Sequence, residues 1–218
     1  MNLLQINDLA ITYQNQYLFK DLSFAVSTGE RLVIIGESGS GKSSILKAIL
    51  GAIDFAGNIQ VNSKLSYMPQ DLALLDHKTV KQNVELPAII STEIPKPLAS
   101  DYQKFGLEQH LDKYVSNLSG GQRQRVALMR ALNSGGSLLL FDEPLSKLDQ
   151  INKQRMLDYF MKHITSDYGL VYITHDLHEA ASIGTKILVL SAKPQIVENN
   201  LAKPEMEDYL AKLLANTF

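Results

Sequence analysis

The chain has 218 residues, 23 acidic against 21 basic side chains, and a formal net charge of −2. Hydrophobic residues make up 45% and charged residues 20%, which excludes disorder as a reading of the whole chain. With no cysteine at all, disulfides, Cys-ligated zinc, iron–sulfur clusters and a cysteine nucleophile are excluded too.

The length suits one α/β domain, or a core carrying a small subdomain. Near-neutral charge gives no basic surface, so nucleic acid is not an expected partner. Residues 1–10 have neither a basic start nor a long apolar stretch, so no secretory signal is expected there. The longest apolar runs, 32–35, 138–141 and 187–190, fall far short of the roughly 20 residues that span a bilayer. No internal repeat or low-complexity segment is present.

Leu22, Phe24 and Val26 alternate with Ser23 and Ala25, the period of a half-buried strand. Residues 27–30 carry turn chemistry. Leu32-Val33-Ile34-Ile35 then reads as a strand buried on both faces. A glycine-rich loop leads into a helix over 42–50, with Gly51 placed to end it. Short strands are expected at 59–61 and 65–68, either side of Asn62-Ser63.

The texture changes over 71–118. Val80 and Val84 mark a short helix, Pro87, Pro95 and Pro97 are expected to break the middle, and Tyr102, Phe105 and Leu111 mark another helical piece. A helix is expected over 120–132. Residues 71–132 are therefore read as an inserted helical subdomain, with 1–70 and 133–218 as the core. Strands at 138–141, 170–174 and 187–190 alternate with helices at 151–164 and 177–183, the pattern of a parallel sheet with helices on both faces. Residues 204–215 read as an amphipathic helix.

Three segments carry chemistry. Gly36-Glu37-Ser38-Gly39-Ser40-Gly41-Lys42-Ser43 fits the G-x-x-x-x-G-K-[ST] phosphate loop. Glycines let several backbone N–H groups face one anion, Lys42 reaches the β/γ-phosphates, and the Ser43 hydroxyl can ligate Mg²⁺. Leu138-Leu139-Leu140-Phe141-Asp142-Glu143 is an apolar strand that delivers two carboxylates to the sheet edge where ligands bind. Asp142 suits the Mg²⁺ shell, and Glu143 suits a general base or an orienter of water. The third segment is Leu118-Ser119-Gly120-Gly121-Gln122. A capping box explains Ser119 and Gln122 but not two adjacent glycines, each costing about 1 kcal/mol in a helix. Bare backbone at a helix start suits the close approach of an anion.

Through these residues the sequence resembles the ATP-binding cassette (ABC) ATPases, whose signature Leu118 to Gln122 matches. The resemblance implies a phosphate-loop α/β core with a mostly parallel sheet, an N-terminal antiparallel β subdomain and an inserted helical subdomain. It implies two cassettes paired head to tail, as a homodimer or heterodimer, each signature turn holding the γ-phosphate of ATP bound on the partner's loop.

Four more positions match the family. Tyr13 stands where an aromatic stacks on adenine. Gln70, after Tyr67-Met68-Pro69, matches the loop glutamine that links Mg²⁺ and water to the helical subdomain. In Ser146-Lys147-Leu148-Asp149, Asp149 would communicate across the dimer. His175 matches the switch histidine at the γ-phosphate. The nucleotide-contacting set also includes Ser44, where the family often has Thr. Residues 133–137 lack a common proline, and their two glycines are expected to loosen the connection there.

The resemblance implies an ATP-hydrolysing subunit on the cytoplasmic face of a membrane, driving a separate permease by ATP-dependent dimer closure. Residues 142–149 and 175–180 resemble bacterial importer cassettes. Asn83-Val84-Glu85-Leu86-Pro87 instead resembles lipoprotein-release and macrolide-type systems. A soluble ABC protein would carry two cassettes or a coiled coil. A phosphate-loop kinase would leave Ser119 to Gln122 and His175 without a role.

Overall fold

Strands β1 (Asn2–Tyr13) and β2 (Gln16–Ser27) form a hairpin in the computed structural model, which describes residues 1–91, 99–164, 166–191 and 193–215. The two-residue turn works because Gln14 and Asn15 both take positive φ, 50° and 63°. A third strand, β4 (Ala56–Val61), pairs antiparallel with β1 and completes a three-stranded sheet of order β2-β1-β4.

The second sheet has six strands. They are β3 (Arg31–Ile35), β5 (Leu65–Met68), β6 (Leu138–Asp142), β7 (Gly169–Ile173), β8 (Lys186–Val189) and β9 (Gln195–Glu198), in the order β5-β6-β7-β3-β8-β9. All neighbours are parallel except β9, which runs antiparallel to β8. The short strands expected either side of Asn62-Ser63 are both present. They do not pair with each other: β4 joins one sheet and β5 the edge of the other.

Period two divides the apolar side chains between two cores. Leu32, Ile34, Leu138, Leu140, Val171 and Ile173 pack with the three-stranded sheet and with helix α1 (Lys42–Ile49). Val33, Ile35, Leu139, Phe141, Leu170 and Tyr172 face the other helices. Those are α2 (Val80–Ile90), α4 (Gly120–Leu132), α5 (Gln150–His163), α6 (Leu177–Ile183) and α7 (Lys203–Ala215), with a short α3 (Ala99–Lys104) before α4. Helices do lie on both faces, but α1 shares its side with a β-sheet. Phe141, Phe160 and Tyr172 are fully buried and meet ring to ring, at centroid distances of 5.9 and 6.2 Å. Truncating one of them to Ala would cost about 3–5 kcal/mol.

Local signals explain most boundaries. Gly51 (φ 67°) follows α1, and the Gly51 and Ala52 N–H groups donate to Ala48 and Lys47 carbonyls at 2.9 and 2.8 Å, the bonds of a Schellman stop. Pro87 departs from expectation: it lies inside α2 and does not break it. Thr79 and Gln82 form a capping box that fixes the start of α2, and buried Asn83 bonds Leu75 and Thr79, so tertiary anchoring outweighs the missing N–H. Pro95 and Pro97 lie outside the described residues. The connection at 133–137 is pinned, not loosened. A Cβ on Gly136 would sit 2.5 Å from the Leu65 carbonyl carbon, and the Gly136 N–H donates to the buried Ser66 hydroxyl at 3.0 Å. Glycine is there so that backbone can pass against backbone.

Candidate active site

Four chain segments reach one edge of the six-stranded sheet. Gly36 follows β3, Gln70 follows β5, Glu143 follows β6 and His175 follows β7. Parallel pairing puts all four at carboxyl ends, the edge where open α/β sheets bind ligands.

The loop between β3 and α1 has little steric freedom. Gly36 has φ 155°, and a Cβ there would lie 2.5 Å from the Leu190 carbonyl oxygen. Gly41 has φ 97° and is the N-cap of α1, with no side-chain cap. The amides at this helix start are therefore left for another acceptor. The Lys42 ammonium donates to the Gly36 and Glu37 carbonyls at 2.8 and 2.5 Å. Burial holds it below the usual lysine range, against the opposing charges of Glu143, Asp142 and Glu37.

Asp142 ends β6 and is buried. Burial pushes its carboxyl up, the Ser43 hydrogen bond opposes this, and the charge of Glu143 adds to it. Asp142 Oδ1 has no hydrogen-bond partner. A buried, unpaired carboxylate oxygen beside the Ser43 hydroxyl is the hard oxygen set that suits Mg²⁺. The residues present fit that ion.

Glu143 sits at φ 49°, a left-handed conformation that costs a non-glycine residue about 1–3 kcal/mol. Its N–H donates to the Ile173 carbonyl at 3.0 Å, which carries the β6–β7 ladder one step past the strand. That step brings Glu143 Oε1 to 3.6 Å from His175 Nδ1. The Glu143 carboxylate is mostly shielded, and the His175 ring is open to solvent.

Lys42 and Glu143 border a cleft of about 430 Å³, within the size range of ligand pockets. Tyr13, Ser38, Gly39, Gly41, Lys42, Ser43, Ser44, Gln70 and Glu143 all border it. Tyr13 is exposed near the hairpin tip, where its ring can stack on a flat ligand. Leu18 borders the cleft too, and sequence reading had not singled it out. Ser40 lies within the loop, its hydroxyl buried and unpartnered.

Glu37, Ser40 and Asp142 adjoin lining residues in the chain, the Gly36 carbonyl accepts from Lys42, and His175 contacts Glu143, but none of these lines the cleft itself. Two further expected groups lie elsewhere. Ser119, Gly120, Gly121 and Gln122 open α4 and do not line this cleft. Ser119 and Gln122 form a reciprocal capping box, so the local role read from sequence is real. Asp149 is exposed and caps α5, accepting from Asn152 at 2.9 and 2.6 Å, and those bonds lower its pKa. Sequence reading missed Arg130 on α4. Its guanidinium donates to the Leu72 and Ala73 carbonyls at 2.6 and 2.7 Å, clamping two consecutive left-handed residues just after Gln70.

Fold and site together define a phosphate-loop nucleotide-binding protein. The sequence model of the ABC transporter family matches residues 19–146. The ergothioneine transport ATP-binding protein EgtV of Helicobacter pylori is 33% identical over 205 residues, covering 86% of this chain and 96% of the relative. The taurine import ATP-binding protein TauB of Shigella boydii is 33% identical over 207 residues, covering 88% of this chain and 81% of the relative. An inward-facing ABC transporter of metal-chelate type superposes with a TM-score of 0.79 at 26% identity, covering 91% of this chain and 84% of that one. A dimeric bacterial ABC transporter cassette gives a TM-score of 0.79 at 24% identity, covering 91% of this chain and 100% of that one, and shows the shared fold. The chain belongs to the ABC transporter family and is one of its ATP-binding, ATPase-type cassettes.

Proposed function

We propose that this cassette hydrolyses ATP as one of a head-to-tail pair and drives import through a separate membrane-spanning permease. The observation that carries the reading is the split between its two glycine-rich helix starts. One lies in a cleft bordered by Lys42 and Glu143, with the unpaired oxygen of buried Asp142 directly before Glu143 in the chain. The other, at Ser119, does not border that cleft.

Tyr13 stacks on adenine. The backbone of Gly36, Glu37, Ser38, Gly39, Ser40 and Gly41 cradles the phosphates, with Ser44 beside them, and Lys42 neutralises their charge. Ser43, Asp142 and Gln70 would hold a Mg²⁺ ion, which when bound draws charge from the phosphate oxygens. Glu143 orients the attacking water and accepts its proton. His175 donates to the γ-phosphate. Ser119, Gly120, Gly121 and Gln122 face the γ-phosphate on the partner's loop, and Asp149 lies at the seam between the two chains.

Residues 71–132 act as a helical subdomain that passes closure to the permease. A groove of about 520 Å³ supports this: Tyr67, Pro69, Leu86, Pro87 and Ile90 line it, next to the segment that follows Gln70. No helix among the described residues is long and apolar enough to cross a membrane. The spanning part is assigned to another polypeptide because relatives matched over most of their length are named ATP-binding proteins of transport systems. Import is favoured because the relatives include TauB and an aliphatic sulfonates import ATP-binding protein of Agrobacterium fabrum. The subunit is placed on the cytoplasmic face of the membrane.

Affinity isolation from detergent-solubilised membranes tests the reading. It should recover a multi-spanning protein whose reconstitution with this cassette gives ATP-dependent uptake. Recovery of the cassette alone, with no ATP-induced dimer by light scattering, would refute it.

A further inference from the structure

Gln124 is a polar residue on an apolar face. Within α4 it shares a side with Leu128 and Ala131, four and seven residues on, and all three are buried. Gln124 itself is 1% exposed. Both ends of its amide act on one short turn. Nε2 donates to the Glu143 carbonyl at 3.0 Å and to the Ser146 hydroxyl at 3.2 Å, and Oε1 accepts from the Lys147 N–H at 2.7 Å. The Ser146 hydroxyl also donates to the Glu143 carbonyl, at 3.0 Å.

The turn so gripped holds Glu143 in its left-handed conformation. It also touches the start of α4 directly: a Cβ on Gly121 would lie 3.2 Å from the Lys147 carbonyl oxygen. The residues that face the partner's nucleotide and the residue that serves the chain's own nucleotide are thus joined through one buried amide.

We propose that Gln124 is a positioning residue for hydrolysis. It fixes the Glu143 backbone and the 146–148 turn to the start of α4, so that Glu143 is aligned when the Ser119 turn engages nucleotide. The inference rests on the two-chain reading above. Hydrogen bonds from a buried side chain to two backbone groups fix geometry more than affinity, so the effect falls on turnover and not on nucleotide binding.

Gln124→Met keeps the side-chain length and removes all three hydrogen bonds. Gln124→Asn, whose amide is one methylene shorter, serves as a second variant should Met prevent folding. Steady-state kinetics on the purified full chain should show kcat down about tenfold with the ATP KM changed less than about twofold. The double variant Gln124→Met with Glu143→Gln should still form an ATP-dependent dimer by size-exclusion chromatography. Wild-type kcat in a folded variant overturns the inference alone, and so does a loss of kcat matched by an equal loss of ATP affinity. Absence of an ATP-dependent dimer in Glu143→Gln itself overturns the two-chain reading and this inference with it.

Discussion

The phosphate loop and the Ser119 turn are both glycine-rich starts of helices, yet the chain finishes them differently. At α1 the N-cap is Gly41 and no side chain caps the helix. At α4 the N-cap is Ser119, and a reciprocal capping box with Gln122 satisfies the end. The first start sits in a cleft with a lysine, a tyrosine and a shielded carboxylate. The second offers exposed glycine backbone at Gly120 and packs its inner side on Lys147 and Leu148. On the proposed function, one start is left open for an anion that the chain itself surrounds. The other is capped by its own side chains, and on the same proposal its glycines leave room for a ligand brought by the partner.

The sharpest test of this contrast is Glu143→Gln. Losing the carboxylate should slow ATP turnover by about 10²–10⁴-fold and leave nucleotide binding intact. It should also accumulate an ATP-bound dimer. Wild-type turnover would remove Glu143 from the chemistry of the first start.

Lys42→Ala removes the one cation that borders that cleft among the described residues. Titration with a fluorescent ATP analogue should show affinity lower by about a hundredfold, and an unchanged affinity would contradict the phosphate-loop assignment. Ser119→Arg probes the second start. Hydrolysis should stop while nucleotide binding by the monomer persists. Mixing Ser119→Arg with Lys42→Ala should restore partial turnover, because one mixed pair keeps one intact composite site. No recovery in the mixture would weaken the idea that the two starts complete each other across chains.

The smallest expected effect is one of stability. Burial raises the pKa of Asp142 above the ordinary 3.8 in the folded chain. The folded state therefore holds that proton more readily than the unfolded one, and the stability this adds at low pH is lost as pH rises through the raised value. Asp142→Asn removes that loss. Without nucleotide or metal, its melting temperature should exceed wild type by a few degrees at neutral pH, and the gap should close below pH 3.8. A gap that did not vary with pH would show that charge burial is not its cause.

Much of this was legible in the sequence because the signals are local. The phosphate loop, the buried run into it, the acidic end of β6 and the Ser119 cap each depend on residues within a few positions of one another. What was missed depends on distance. The first third reads mostly as strand, but the bounds of β1 are not legible, because positive φ at Asp8 and shifts of register against β2 disturb its alternation. β9 is mostly exposed, so it has no apolar run to announce it. Arg130 shows its role only when the Leu72 and Ala73 carbonyls, 58 and 57 residues away, are in view. Gln124 did leave a trace: a glutamine in register with Leu128 and Ala131 on a buried stripe.

By itself the sequence determined the phosphate-loop motif and the acidic end of β6, because backbone-cradled phosphate binding needs a fixed local spelling. It also determined the start of α4, since a capping box is written in four residues. Only the tertiary structure decided that β7 lies between β3 and β6, which brings His175 to Glu143 and sets the loop one strand away. Strand order follows from how two apolar cores share the faces of one sheet, and no short stretch of chain encodes that division.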